Sequence, residues 1–250
     1  MEIMSCVSVV IPARLESTRL PNKVLLEIGG KPMLERVWEQ VSQMKSADEV
    51  FIATDSGLVA EAAESWGAKV ALTSPDCPSG TDRIASILDK LSGDFILNVQ
   101  GDEPFVPPAL LEDLVEAFNQ NPCDIVTPVF SIAEGEEILD PNLVKAVRTG
   151  SGRALYFSRG AVPHVRGSDH NHWPVEAIHW GHIGVYGYSR DVLAKYPGLS
   201  QSPLERVEKL EQLRFLENGF SIQTVVTEYR PIGVDTEEDL IRAREMIASI

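Results

Sequence analysis

Three cations, Arg14, Arg19 and Lys23, fall within ten residues of an otherwise acidic chain. They follow the apolar run Val7–Ile11, so they lie beyond the carboxyl end of a candidate first strand, where open α/β sheets bind ligands. Guanidinium forks and a lysine ammonium are the groups that hold a polyphosphate. Ser17, Thr18 and the loop amides can add donors to phosphate oxygens. The competing reading is a solvated loop with ordinary surface cations. A Walker A loop is excluded, because Gly30-Lys31 runs into Pro32 and Leu25 stands where the first glycine belongs. A dinucleotide fingerprint is excluded too, since Gly181, Gly184 and Gly187 are spaced by three.

Carboxylates follow at two places. The apolar run ending Leu97-Asn98-Val99 leads into Gln100-Gly101-Asp102-Glu103, and an aspartate at a strand's carboxyl edge can bind Mg²⁺ and bridge it to phosphate. An Asx turn or a helix cap explains Asp102 equally well. Asp235, after Gly233-Val234, would complete a metal pair with Asp102; Thr236 beside it makes capping the competing role. Ser79-Gly80-Thr81-Asp82-Arg83 reads as a helix N-terminus whose donors suit an anion or a nucleobase edge, or as an ordinary helix start. A more diffuse group comprises Tyr156 to Arg159, His182, Tyr186, and Glu205, Glu208, Glu211 and Gln212 at helical spacing. Arg159 would pair a carboxylate and the acids would accept from hydroxyls. The alternative is a solvated face opposite Leu204, Val207, Leu210 and Leu213. The five histidines, all between His164 and His182, show no recognised zinc spacing.

The elements that must position these groups alternate in type. Strands are expected at 7–11, 50–53, 69–72 and 95–99, with helices at 32–45, 58–66, 81–91 and 108–120. That rhythm implies a Rossmann-like three-layer α/β/α fold with a mostly parallel central sheet. The second half is richer in strands, expected at 144–148, 154–157, 182–188 and 220–227, with a polar loop at 166–173. Ser202-Pro203-Leu204-Glu205 is a capping box that opens a helix running to Asn218-Gly219, and Thr236 with Asp239 opens the last one. The plan is a single domain over residues 1–250 with a strand-rich insertion at about 130–200.

Composition sets the class. The 250 residues are 44% apolar and 24% charged, which excludes disorder and coiled coil as the main architecture. The net charge of −15 gives no general attraction to nucleic acid or an anionic membrane, and nothing reads as a membrane span or signal peptide. Three widely spaced cysteines, Cys6, Cys77 and Cys123, fit a reducing, cytoplasmic compartment.

Taken in order, IPAR–ESTRLPNK, GGKPML, ATDS, SGTDRI, NVQGDEP, ALYFSR, HIGVYGY, SPLE–EKLEQLR and GVDTEEDL resemble the 3-deoxy-manno-octulosonate (Kdo) cytidylyltransferase family. The resemblance runs from about residue 7 to residue 245. It implies the reaction CTP + Kdo → CMP-Kdo + pyrophosphate, serving bacterial lipopolysaccharide, with 8-amino-Kdo or another nonulosonate as the alternative acceptor. By that resemblance Arg14, Ser17, Arg19 and Lys23 grip the triphosphate, and Lys23, Arg14 and Asp102 carry the catalysis. Ser79, Gly80, Thr81 and Arg83 help recognise the nucleotide. Asp102 and Asp235 hold Mg²⁺. Gln100, Arg159, His182, Tyr186, Glu208, Glu211 and Gln212 shape the sugar-acid site, and the strand-rich part makes a homodimer. Two departures stand out. Asn22 replaces a common glycine, and asparagine tolerates the left-handed backbone such a position needs. Asp82 replaces a commoner glutamate, which keeps the amino sugar in view. A glycosyltransferase would want Asp-x-Asp where this chain has Gly101-Asp102-Glu103, and a pure nucleotide binder need not keep Lys23, Asp102 and Asp235 together.

Overall fold

A computed structural model describes residues 5–17 and 19–249; Thr18 lies outside the described residues. Two compact units divide the chain: one holds the described residues up to Val115 together with those from Pro231 on, the other Glu116–Arg230.

In the first unit β1 (Val7–Ala13) is buried along its whole length. A small hairpin, β2 (Glu27–Ile28) and β3 (Lys31–Pro32), leads into α1 (Met33–Val41), which buries Met33, Leu34, Val37 and Val41. Then come β4 (Glu49–Thr54), α2 (Gly57–Ser65), β5 (Lys69–Leu72), α3 (Gly80–Ala85) and β6 (Phe95–Asn98). β1 pairs in parallel with β4 on one side and β6 on the other, and β5 pairs in parallel with β4. β1 and β6 are buried throughout, as parallel strands covered on both faces are, so their runs show no polar alternation, whereas the edge strand β5 exposes Lys69 and Leu72. The helix expected at 81–91 is shorter: α3 ends at Ala85 and a 3₁₀ turn covers Leu88–Lys90. α4 (Pro108–Gln120) carries the chain across the unit boundary with the bounds its periodicity predicts.

The second unit is built on β7 (Ile125–Ile132), which sequence patterning does not reveal. Pro128 sits in its middle, and proline cannot donate to a ladder, so it argues against a central strand. α5 (Gly135–Leu139), β8 (Lys145–Arg148), β9 (Ala154–Ser158), α6 (Trp173–Glu176), β10 (His179–His182) and β11 (Tyr186–Ser189) follow. The single strand expected at 182–188 is two strands, both antiparallel to β7. Between the pairs His182↔Val129 and Gly187↔Val126 the chain takes five steps against three on β7. The resulting bulge lies opposite Thr127-Pro128, where Pro128 has no N–H to contribute. β8 pairs antiparallel with both β10 and β9. The expected loop at 166–173 contains a 3₁₀ turn at His170–His172 and meets α6 at Trp173.

After α7 (Arg190–Lys195), the helix expected from Ser202 to Asn218 is two: α8 (Pro203–Glu208) and α9 (Gln212–Glu217). The capping box at Ser202/Glu205 forms as expected, but Lys209 adopts φ 57°, ψ 44° and ends α8. Glu205 and Glu208 are therefore on α8, Glu211 and Gln212 at the start of α9, and the four do not share one helical face. Glu205 is buried and forms a two-pronged ion pair with Arg214 at 2.8 and 2.6 Å, clamping α8 to α9. β12 (Ile222–Val226) pairs in parallel with β7, its Val225 beside Pro128. The chain then returns to the first unit and ends in α10 (Glu237–Ala248), opened by the Thr236/Asp239 capping box. Among the described residues no helix is long and apolar enough to cross a membrane.

Candidate active site

The site in the first unit assembles from three distant segments. Leu20, Ile28 and Met33 pack with Val234, Leu240 and Ala243 in one buried cluster, which ties the loop after β1 to the start of α10. Each of the larger side chains among them contributes about 1.5–3 kcal/mol on burial. The Val234 N–H donates to the Asp102 carbonyl at 3.1 Å, so the segments bearing the two aspartates are joined through their backbones. Gly101 permits the close approach: a Cβ there would lie 3.2 Å from the Pro12 carbonyl oxygen and 3.3 Å from Leu34 Cδ1. Asn22 takes the left-handed conformation expected of it, φ 55°, ψ 26°, and turns the chain into the 3₁₀ turn that carries Lys23.

Lys23 sits between the aspartates. Its Nζ donates to Asp102 Oδ2 at 2.6 Å and to Asp235 Oδ1 at 2.8 Å, although Lys23 and Asp235 are 212 positions apart. Burial alone would lower the Lys23 pKa; Asp102 and then Asp235 outweigh it, so the net shift is upward. Arg19 pairs with the other oxygen of Asp235 at 2.9 Å. Ser17 Oγ accepts from the Leu20 N–H at 3.4 Å, and the Arg14 side chain is exposed. Behind them burial, then Asp102 and Asp235, push the Glu103 carboxyl up to about 8, with Lys23 opposing.

Asp102 and Asp235 are hard-oxygen donors on fixed backbone, with the Asp102 side chain 31% and the Asp235 side chain 45% exposed. Among the described residues no group of three or more His, Cys, Asp or Glu side chains is arranged to hold a metal ion. Two carboxylates beside the cation-bearing loop after β1 nevertheless fit Mg²⁺, an ion that keeps several waters and is bound through one or two carboxylates plus phosphate oxygens.

The helix-start residues are less open than their sequence suggests. Ser79 Oγ caps α3, accepting from the Asp82 N–H at 3.1 Å and donating to its carboxylate at 2.7 Å. Thr81 is buried. Arg83 is buried as well, donating to Asp55 Oδ2 at 2.7 Å and to Thr73 Oγ1. Gly80 faces the β1 end, where a Cβ would lie 3.3 Å from Pro12 Cγ and 3.7 Å from Gln100 Oε1. Gln100 itself donates to Asn98 Oδ1 at 2.9 Å. Asp55, the partner of Arg83, lies in a motif the sequence displays, but nothing in its spacing points to that ion pair.

The other sugar-acid candidates lie in the second unit. His182 Nε2 is 2.9 Å from Thr127 Oγ1, which donates to the Val185 carbonyl at 2.8 Å. With the threonine hydrogen spent there, the network assigns the imidazole proton to Nε2. Nδ1 is then an acceptor, and burial holds the ring neutral with its pKa lowered to about 3. Tyr186 stacks on Tyr188 at 5.8 Å, and burial raises its phenol well above 10. α9 packs on β9 and buries Gln212, whose Nε2 is a buried donor without an acceptor among the described residues. Such a donor is what a bound hydroxyl satisfies. Glu211 lies near Tyr186, whose pKa its charge helps to raise. Glu208 turns back on its own chain: it accepts from Ser158 Oγ at 2.7 Å and from the Arg159 N–H at 3.0 Å.

These features coincide with a family match. A cytidylyltransferase family model matches residues 8–224. A 3-deoxy-manno-octulosonate cytidylyltransferase of Francisella philomiragia is 45% identical over 96% of this chain and 98% of its own length. The chain belongs to the 3-deoxy-manno-octulosonate cytidylyltransferase family. The enzyme of that name from Syntrophotalea carbinolica is 42% identical over 94% of this chain and 96% of its own. A solved structure of CMP:2-keto-3-deoxy-manno-octonic acid synthetase complexed with CTP superposes with a TM-score of 0.92 at 38% identity, covering 98% of this chain and 99% of that one. The chain therefore has the α/β nucleotidyltransferase fold of that family, as its sequence leads one to expect.

Proposed function

We propose that this cytidylyltransferase transfers CMP from CTP to the anomeric hydroxyl of Kdo, releasing pyrophosphate, in the supply of activated sugar acid for lipopolysaccharide. The observation that carries the reading is the convergence of Arg19, Lys23, Asp102 and Asp235 beyond β1 in a chain whose relatives bear that name.

Attack on an α-phosphate places little covalent work on the protein; positioning and charge stabilisation dominate. Arg14, Ser17 and Arg19 line the loop after β1 and bind the triphosphate. Lys23, fixed at two points, presents a permanent cation to the charge that grows on the α-phosphate and the departing pyrophosphate. Ser79, Gly80, Thr81 and Arg83 form the helix start that faces the nucleotide, with Arg83 acting chiefly as its buried anchor. Asp102 and Asp235 hold Mg²⁺, which when bound neutralises phosphate charge and polarises the reacting phosphoryl group. In the second unit Arg159 pairs the sugar-acid carboxylate, while His182 Nδ1, Tyr186, Glu211 and Gln212 meet its hydroxyls.

The protein acts as a cytoplasmic homodimer. The thiols of Cys6, Cys77 and Cys123 are all unpaired, as suits a reducing compartment. Leu155, Val175 and Ile178 expose apolar side chains on the second unit, the part assigned to the interface.

Pyrophosphate release with Mg²⁺ tests the reading, with CTP, UTP, ATP and GTP set against Kdo, 8-amino-Kdo and N-acetylneuraminate. Release confined to CTP with Kdo is the expected result. Preference for the amino sugar moves the acceptor assignment, and no release with any pair overturns it.

A further inference from the structure

Lys145 is the one lysine whose side chain is fully buried among the described residues. It lies in the short strand β8, paired with Ser158 of β9. Its ammonium meets three backbone carbonyls: Asp140 at 2.8 Å, Leu143 at 2.7 Å and Arg159 at 2.7 Å. All three N–H groups are thereby spent inside the protein, so the charge has nothing left to offer a ligand. Burying an ammonium is costly, and an apolar side chain of similar volume would serve packing alone at least as well. The cation is therefore best explained by what it organises.

What it organises is Arg159. The Arg159 carbonyl accepts from Lys145 Nζ, and its N–H donates to Glu208 Oε2 at 3.0 Å. Its Nε donates to the Glu208 carbonyl at 2.9 Å, and Nη1 to the Pro141 carbonyl at 3.0 Å. Pro141 lies between Asp140 and Leu143, two of the three residues whose carbonyls Lys145 holds. One ammonium thus fixes both the backbone from which Arg159 springs and the turn on which its guanidinium rests. Nη2 makes no hydrogen bond among the described residues, so both its N–H groups and the second N–H of Nη1 remain to pair a ligand. Such a fork is shaped to pair a carboxylate through parallel N–H groups.

We propose that Lys145 is a positioning residue: by gathering the Asp140, Leu143 and Arg159 carbonyls it aims the Arg159 guanidinium at the carboxylate of the sugar-acid substrate. The inference rests on the reading of Arg159 as the carboxylate anchor. Glu208 belongs to the same frame, holding Arg159 from the opposite side rather than reaching for a substrate hydroxyl.

The test is steady-state kinetics on wild type, Lys145→Met, Arg159→Ala and the double variant, all as full chains. Lys145→Met should raise the KM for the sugar acid by about tenfold or more, as misplacement of a positioning group does, with the KM for CTP held within about twofold. In the Arg159→Ala background the same substitution should add nothing to the sugar-acid KM, because the two act through one interaction. If Lys145→Met does not fold, Lys145→Arg is read in the same way, since a planar guanidinium cannot place three N–H groups on these carbonyls. An unchanged sugar-acid KM in the folded variant, beside a raised one in Arg159→Ala, overturns the proposal alone. So does a penalty that persists in full without Arg159. No effect of Arg159→Ala on that KM overturns the carboxylate reading and the proposal with it.

Discussion

The amide of Val234 donates to the carbonyl of Asp102 across 3.1 Å, and this one backbone bond brings Asp235 to the carboxyl end of β6. Lys23 then closes the arrangement from the third segment, 79 positions before Asp102. Lys23 and the two aspartates are therefore one assembly, and each part can be tested separately.

Lys23→Ala should lower kcat by about 10²–10³-fold, the range for removing one group that stabilises transition-state charge, with a smaller change in CTP affinity. Single-turnover rates alongside equilibrium CTP binding give the comparison. Equal losses in the two would mean that Lys23 holds CTP without favouring the transition state.

Asp102→Asn keeps the shape and the backbone bond to Val234 but removes a charged oxygen. Mg²⁺-dependent activity should be lost while the urea midpoint stays close to wild type. A Mg²⁺ titration superimposable on wild type would contradict the metal assignment.

Arg83→Met should destabilise the fold by roughly 1–3 kcal/mol, because it leaves the partly buried Asp55 carboxylate without its cation. Adding Asp55→Asn should recover a large part of that loss, as read from urea unfolding. A fully stable Arg83→Met protein would return Arg83 to a purely nucleotide-facing role.

His182 gives the stability a pH dependence of defined sign. Its ordinary pKa of 6.5 falls to about 3 on burial, so below 6.5 the unfolded chain takes up a proton that the native chain refuses. Stability should fall as pH drops from 6.5 toward 3, by roughly 1.4 kcal/mol per pH unit from this group. His182→Gln should flatten that limb when urea midpoints are compared at pH 7 and pH 4.5. Parallel limbs in the two proteins would assign the slope to other groups.

Much of this protein is legible in one dimension. The central strands β1 and β6 are buried throughout and so appear as largely apolar runs, while capping boxes at Ser202 and Thr236 mark helix starts because their hydrogen bonds span only three residues. The cations of the first loop are close in sequence, so their chemistry can be read directly. Tertiary structure decided the rest. β7 is hidden by Pro128, tolerated where the β10–β11 bulge interrupts the ladder. The split of α8 from α9 turns on a left-handed Lys209, a conformation that lysine, unlike glycine or asparagine, does not advertise. Which carboxylates meet Lys23, and which of the expected ligands are instead spent on Asp55 or Arg159, depends on groups far apart in the chain. Local spacing carries no record of such pairings, because burial and long-range hydrogen bonds create them only once the chain has folded.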